Sequence, residues 1–253
     1  MKFSEYISKH QVFTTAGLLR ECDSAESAEE QLRLAVKSGS VERVRRGLLV
    51  SNYRRFEGAP VDPFAVVMTA DEGAVVSFHS ACEAHGVAHN VGFVCQFRSD
   101  SVRKAFTFRG VEYKPCGAVG DAQVKTVRSG ESHVRVTTRE QTIVDCLDKP
   151  RLSGGIEEAV HSVSAFAYID AAALMGIVRA KGAQTASRVG WLLSEKRKDW
   201  HISGDVLGEL QGMIGPGPYR LGRPDSSRKG WSREWRLLLP DSNEEVSTWI
   251  TRG

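Results

Sequence analysis

The amino-acid sequence predicts an α+β protein in which a small N-terminal domain precedes a larger mixed α/β domain with a helical C-terminal portion. Two observations carry this prediction. Apolar residues repeat at helical spacing near both ends of the chain, whereas the middle alternates apolar and polar residues over short runs, as half-buried strands do. With 41% hydrophobic and 26% charged residues, the 253-residue chain can bury a core without disulfides or metal.

The first domain is predicted at residues 1–58, and it opens with two short helices. Phe3 and Tyr6 lie one helical turn apart, which indicates the buried face of a first helix. Thr14 or Thr15 then supplies an N-cap hydroxyl for a second helix that runs to about Cys22.

A third helix is predicted from Ser24 to Ser38. Ser24 or Ser27 caps its start, and Ser27 with Glu30 has the spacing of a capping box. Gly39 follows the last apolar position, where a glycine adopts the left-handed conformation that ends many helices.

A hairpin with an arginine-rich tip follows this third helix. Val41 and Val44 predict one strand, Leu48 and Val50 predict the returning strand, and the turn between them is Arg45-Arg46-Gly47. Helix, turn, helix and then a cationic hairpin is the order of elements in a winged helix-turn-helix. The sequence therefore predicts such a domain, with double-stranded DNA as its ligand.

The residues predicted to contact DNA lie at helix starts, on the third helix and on the hairpin. They are Thr14, Thr15, Ser24, Ser27, Gln31, Lys37, Arg43, Arg45, Arg46 and Gly47. A net charge of only +3 requires that the basic surface be local. The alternative to DNA binding is that these cations form a solvated basic strand edge, which prevents aggregation.

Three glutamates, Glu26, Glu29 and Glu30, stand at the start of the third helix. Carboxylates repel phosphates, although they can accept a hydrogen bond from cytosine. Either the helix is angled so that these side chains avoid the DNA backbone, or most of the affinity comes from the hairpin.

The remaining residues, 59–253, are predicted to form the larger domain, with an α/β part at about 60–150 and a helical part and tail at about 151–253. Its predicted helices cover 64–68, 79–85, 139–147, 156–166, 169–180, 185–194 and 205–214. Its predicted strands cover 74–78, 91–97, 106–108, 111–113, 134–136 and 235–239. Thr138 and Gln141 have capping-box spacing at the start of one helix.

The sequence contains little that indicates catalysis, cofactor binding or a membrane. Five widely spaced cysteines favour a reducing cytosol over a disulfide framework, and the chain shows neither a signal peptide nor an apolar run of membrane-spanning length. His79, Cys82, His85 and His89 are candidate metal ligands, but polar capping of a helix end is the preferred interpretation. We therefore expect no metal, no cofactor and no catalytic residue.

Two other functions stay open as alternatives. Glu112 and Lys114 form an E-x-K pattern downstream of Asp62, which would suit a metal-dependent nuclease. A small-molecule-responsive or solitary regulator would instead need a ligand pocket in the α/β part.

The tail combines cations with aromatic rings. Its members are Tyr219, Arg220, Arg223, Arg228, Lys229, Trp231, Arg233, Trp235 and Arg236. This composition suits RNA or a partner protein, but a strand pair with its tryptophans inward and its arginines in water is preferred.

Three segments resemble AbiEi-type antitoxins: FTTAGLLRE with LRLAVKSGSVERVRRGLLV, then VRVTTREQTIVDCLDKPRLSGGIEEAV, and more weakly YRLGRPDSSRKGWSREWRLLLP. The resemblance implies the antitoxin of a two-gene type IV toxin–antitoxin system linked to phage defence. Such a protein represses its own operon by binding promoter repeats. Because a single winged helix binds DNA with modest affinity, we expect two protomers on repeated half-sites. It also counters a nucleotidyltransferase-like toxin, commonly without a stable complex.

Overall fold

A computed structural model describes residues 1–129, 132–223 and 230–251, and in these ranges it contains eleven α-helices. The helices are α1 (Phe3–Lys9), α2 (Thr15–Glu21), α3 (Ala25–Ser38), α4 (Pro63–Ala70), α5 (His79–Ala84), α6 (Arg139–Asp148), α7 (Ile156–Ser164), α8 (Ala171–Val178), α9 (Ala183–Glu195), α10 (Gly204–Gly212) and α11 (Asn243–Thr251). Short 3-10 helices cover Arg54–Phe56 and Pro150–Leu152.

Twelve strands are present in the same ranges. They are β1 (Val12–Thr14), β2 (Val41–Arg45), β3 (Leu48–Ser51), β4 (Val75–Val76), β5 (Val94–Arg98), β6 (Phe106–Phe108), β7 (Val111–Pro115), β8 (Val124–Ser129), β9 (Ser132–Thr137), β10 (Tyr219–Arg220), β11 (Trp231–Ser232) and β12 (Leu237–Leu238). The predicted α+β class is therefore confirmed.

The chain divides into two compact units. Unit 1 consists of Met1–Ala74, Phe93–Val119 and Arg128–Val134, and unit 2 of Val75–Gly92, Gly120–Val127 and Arg135–Gly253. Unit 1 thus contains the whole predicted N-terminal domain together with three later strands, β5, β6 and β7. That residues 1–58 fold as an independent domain stays a prediction.

In unit 1 the first six elements run α1-β1-α2-α3-β2-β3. The strands form an antiparallel sheet in the order β1-β3-β2, in which Phe13 pairs with Leu49 and Arg43 also pairs with Leu49 from the other side. Leu49 lies in a hydrophobic cluster with Phe3, Tyr6 and other apolar residues of the three helices. The sequence analysis missed β1, because a three-residue strand is too short to show an alternating pattern.

The rest of unit 1 supports this sheet. Helix α4 begins at the Asp62 N-cap, whose carboxylate accepts the Phe64 amide hydrogen at 2.8 Å, and it packs against β1. Strands β6 and β7 form a hairpin whose turn residues Arg109 and Gly110 both have positive φ, and β6 packs against β2. The three-stranded sheet therefore contacts elements from later in the chain, α4 at β1 and β6 at β2.

Unit 2 is mainly helical, with one continuous core formed by α6, α7, α9 and the tail. Ile143, Val160, Leu192 and Trp235 are among its fully or almost fully buried members. Strands β4 and β9 run parallel, with Val76 opposite Val136. The prediction for the tail was partly wrong, because β12 is shorter than proposed and α11 follows it.

All five cysteines are free, and the buried pair Cys82 and Cys146 has its sulfur atoms 4.0 Å apart. None of the helices in the described ranges combines the length and the apolar character needed to cross a bilayer.

Candidate nucleic-acid interface

Three residues, Cys22 to Ser24, connect helices α2 and α3, and each helix begins with a capped amide. The Thr14 hydroxyl accepts the Gly17 amide hydrogen at 2.9 Å, and the Ser24 hydroxyl accepts the Ser27 amide hydrogen at 3.3 Å. Each cap satisfies one of the amides that a helix start leaves without an internal partner. Thr14 and Ser24 are therefore the caps that the sequence left undecided between neighbouring residues.

Helix α3 presents most of its surface outward. Only Ala28 and Ala35 are buried along its fourteen residues, and Gly39 ends it with φ of 81°. Leu34 is 50% exposed in the middle of the outward face, where an apolar side chain has no role in the core. A helix of this length with a free face has the dimensions of an element that enters the major groove.

The charges on this face are divided along the helix. The first half carries the exposed glutamates Glu26, Glu29 and Glu30, whereas the second half carries Arg33 and Lys37. The Arg33 guanidinium donates to the Glu30 carboxylate with Nε at 3.0 Å, and this bond lowers the pKa of Glu30. The ion pair cancels one of the three negative charges that would otherwise face a phosphate.

Gln31 lies on one flank of the same face. Its amide nitrogen donates to the Ser27 hydroxyl at 2.9 Å and to the Ser27 carbonyl at 3.2 Å. Both side chains are exposed, and they line a depression of about 230 Å³ together with Asp23 and Met1. Gln31 keeps its carbonyl oxygen available for a further hydrogen bond.

The tip of the β2–β3 hairpin lies beside the start of α2. The Thr15 amide donates to the Gly47 carbonyl at 2.9 Å, and Gly47 has φ of 80°, a conformation that favours glycine. Thr14, Thr15 and Gly47 are thus brought together, while Ser24, Ser27 and Gln31 form a second group on α3. Lys37 lies at the far end of α3 from that group.

The three arginines of the hairpin differ in their environments. Arg43 and Arg46 are exposed and form no ion pair with a carboxylate in the described ranges, whereas Arg45 is half-buried. The Arg45 guanidinium lies 5.1 Å from the centre of the Phe106 ring, and Glu42 forms an ion pair with Arg109. Arg45 therefore helps to fix the hairpin to β6, and Arg43 and Arg46 are the cations free to meet a ligand.

The role of the β6–β7 hairpin could not be found from the sequence. Arg109 lies 67 residues from Glu42, and its guanidinium also donates to the Ala59 carbonyl at 3.2 Å. The sequence predicted the strands at 106–108 and 111–113, but no local pattern reveals which strand their hairpin contacts.

The histidines proposed as metal ligands have separate environments. His79 lies between two glutamates, His85 contacts the Thr137 carbonyl at 2.8 Å, and the His89 ring stacks on the ring of His161. Across the described parts of the chain, no group of three or more histidine, cysteine, aspartate or glutamate side chains could hold a metal ion.

The three residues of the nuclease alternative, Asp62, Glu112 and Lys114, form no cluster of mutual contacts in the described part of the chain. Glu112 is half-buried on β7 opposite Thr107, Lys114 is exposed, and Asp62 caps α4. Asp62 also lines a surface depression of about 620 Å³ in unit 1, together with Lys9, His10, Arg55 and His133.

In the tail, the two tryptophans have different environments. Trp235 is buried, as predicted, whereas Trp231 is 43% exposed, contrary to the preferred inward placement of both rings. Arg220, Arg223, Arg233 and Arg236 are exposed, and Arg228 and Lys229 lie outside the described residues. The Arg236 guanidinium donates to the Gly215 carbonyl.

Comparison with solved structures finds a similar fold in the crystal structure of the RV2827C protein from Mycobacterium tuberculosis. The TM-score is 0.67 at 12% sequence identity, and the match covers 99% of this chain and 92% of the other. At this identity the likeness concerns the fold alone. No protein-family model and no curated protein sequence matches the chain.

Proposed function

We propose that α1–β3 is a winged helix that binds double-stranded DNA, and that the protein is a transcriptional repressor of the antitoxin type that its sequence resembles. The observation that carries the proposal is the outward face of α3 next to a hairpin with two exposed arginines, Arg43 and Arg46. In this mode α3 lies in the major groove and the hairpin contacts the adjacent backbone.

The charge distribution supports different roles for helix α3 and the β2–β3 hairpin. Arginines without a carboxylate partner bind phosphates and release condensed counterions, which gives affinity without sequence preference. The glutamates of α3 can be tolerated only where they face bases, because cytosine offers an amino donor and the phosphates offer only negative charge. Affinity is therefore assigned to the hairpin and sequence preference to α3.

The double variant Arg43→Ala/Arg46→Ala is expected to weaken binding to the promoter of its own gene about 30-fold at 0.1 M salt, since two charge-assisted contacts are lost. The logarithmic salt dependence should flatten by about two units. Fluorescence anisotropy of the labelled promoter over a salt series measures both quantities.

The matched control removes two exposed cations from unit 2, in the variant Arg151→Ala/Lys198→Ala. It has the same net charge as the test variant, so a general charge effect would change both alike. Equal affinity and equal salt slope for the test variant and the wild type would remove the hairpin from the proposed interface.

Gln31→Ala is expected to change sequence preference rather than overall affinity. A glutamine that reads one base pair supplies about 1–3 kcal/mol of discrimination, which is lost without the side chain. Selection from randomised DNA, compared with the exposed control Gln184→Ala, should show one relaxed position. An unchanged preference would exclude Gln31 from base recognition.

The antitoxin part of the proposal rests on the sequence resemblance and has its own test. Co-expression with a nucleotidyltransferase-like toxin encoded beside the gene is expected to restore growth, without a stable complex in pull-down experiments. Because DNA binding and toxin neutralisation are assigned to different parts of the chain, Arg43→Ala/Arg46→Ala should still protect. Failure of the wild-type protein to protect would leave a DNA-binding regulator alone.

A further inference from the structure

Three segments of unit 2 converge on the first turn of α6, outside the interface described above. The Thr138 amide donates to the Gln123 carbonyl at 2.9 Å, and the Gln123 amide donates to the Gln141 side chain at 3.3 Å, which fixes the start of β8. The Asp170 amide donates to the Glu140 carboxylate at 2.9 Å, which fixes the segment before α8.

These bonds place next to each other the two backbone segments that carry Lys125 and Arg139. Lys125 is the second residue of β8, and Arg139 is the first residue of α6. Both side chains are half-buried, and neither forms an ion pair with a carboxylate in the described part of the chain. Burial, followed by the charge of Arg139, lowers the pKa of Lys125. The two charges therefore repel each other, and Glu140 is engaged by the Asp170 amide.

An aromatic ring completes the cluster. The Arg139 guanidinium lies 3.9 Å from the centre of the Tyr168 ring, and Tyr168 is 62% exposed. A guanidinium stacked on a ring keeps its N–H groups free at its edge, where they can bind phosphate oxygens. Because most of Tyr168 is exposed, ring surface stays accessible to a second planar group.

We propose that Lys125, Arg139 and Tyr168 form a binding site for a nucleotide, either free or as a unit of a single strand. The phosphate lies between the two cations, whose repulsion it relieves, and the base stacks on the open face of the tyrosine ring. Flat rings beside cations are the combination with which proteins hold unpaired bases and their phosphates. This site is separate from the duplex-binding interface and does not depend on it.

The test is isothermal titration calorimetry with UMP, GMP, pyrophosphate and a short oligouridine, in the Arg43→Ala/Arg46→Ala background so that the hairpin does not contribute. Lys125→Gln and Arg139→Gln should each weaken binding of every one of these ligands about tenfold. Tyr168→Leu should weaken nucleotide binding about tenfold and leave pyrophosphate unchanged. Lys198→Gln, an exposed lysine elsewhere in unit 2, is the control.

The two sources of nucleotide are distinguished by comparing ligands. Oligouridine that binds much more tightly than UMP identifies a strand, and equal affinities identify a free nucleotide; both results support the site. Absence of binding at millimolar concentration would overturn the proposal. So would binding that is insensitive to Lys125→Gln and Arg139→Gln while far-ultraviolet circular dichroism shows the variants folded.

Discussion

His79→Ala is expected to lower the free energy of unfolding by about 3 kcal/mol at pH 6, since removing one member of a buried charge network leaves the others unpaired. The His79 side chain is 8% exposed, with Nδ1 at 3.1 Å from Glu83 and Nε2 at 3.0 Å from Glu158. The same two glutamates accept amide hydrogens from Asn90 and Gly92, so the loss extends to the segment after α5.

The size of this effect should depend on pH. Burial opposes the charged imidazole, but the hydrogen bonds and charges of Glu83 and Glu158 outweigh it and raise the pKa of His79. A raised folded-state pKa means that the stabilisation is complete below the unfolded value of about 6.5 and is lost as the pH rises through the folded value. Burial opposes the charged carboxylate of Glu158, but hydrogen bonds from Asn90, His79 and Ser162 outweigh it and lower the pKa of Glu158. The stability that Glu158 contributes is therefore lost as the pH falls below about 4.5.

Urea unfolding at a series of pH values measures this contribution. The difference between wild type and His79→Ala should be largest between about pH 4.5 and 6.5 and should shrink at higher pH. His133→Ala, which removes an exposed histidine, should leave the stability unchanged at every pH. A difference that is the same from pH 5 to pH 9 would show that His79 acts through packing alone.

Local signals in the sequence predicted helix starts and ends well. Ser24 and Thr138 cap their helices, and Gly39 ends α3 in the left-handed conformation. These motifs work because the donor and the acceptor lie within four residues, so the sequence contains both partners of each bond. The three N-terminal helices and the following β2–β3 hairpin were predicted from the same kind of evidence, but β1 was not.

Partners that are distant in sequence could not be predicted. His79 was interpreted as a polar cap at a helix end, whereas its partner Glu158 lies 79 residues away. Within the candidate interface, the sequence grouped Arg45 with Arg46, but the Phe106 ring separates their roles. Such contacts depend on tertiary packing, which no local periodicity encodes.

Gly190→Ala is expected to cost about 3 kcal/mol of stability, although alanine is the better helix former by about 1 kcal/mol. A Cβ added at Gly190, in the middle of α9, would lie 2.1 Å from Cζ3 of Trp235 and 2.3 Å from Cε3. The ring cannot move aside easily. Trp235 is 1% exposed, its indole N–H donates to the Ser194 hydroxyl at 2.9 Å, and its carbonyl accepts from Ser187 at 2.7 Å.

A double-mutant cycle in urea separates this clash from other effects of the substitution. Trp235→Leu alone removes buried ring surface and should cost about 3 kcal/mol, but Gly190→Ala added to it should cost almost nothing, because the clash is gone. Gly176→Ala in α8, where a Cβ meets nothing within 4 Å, should be neutral or stabilising. Additive costs in the cycle would show that Gly190 is needed for a reason other than the indole ring packed on it.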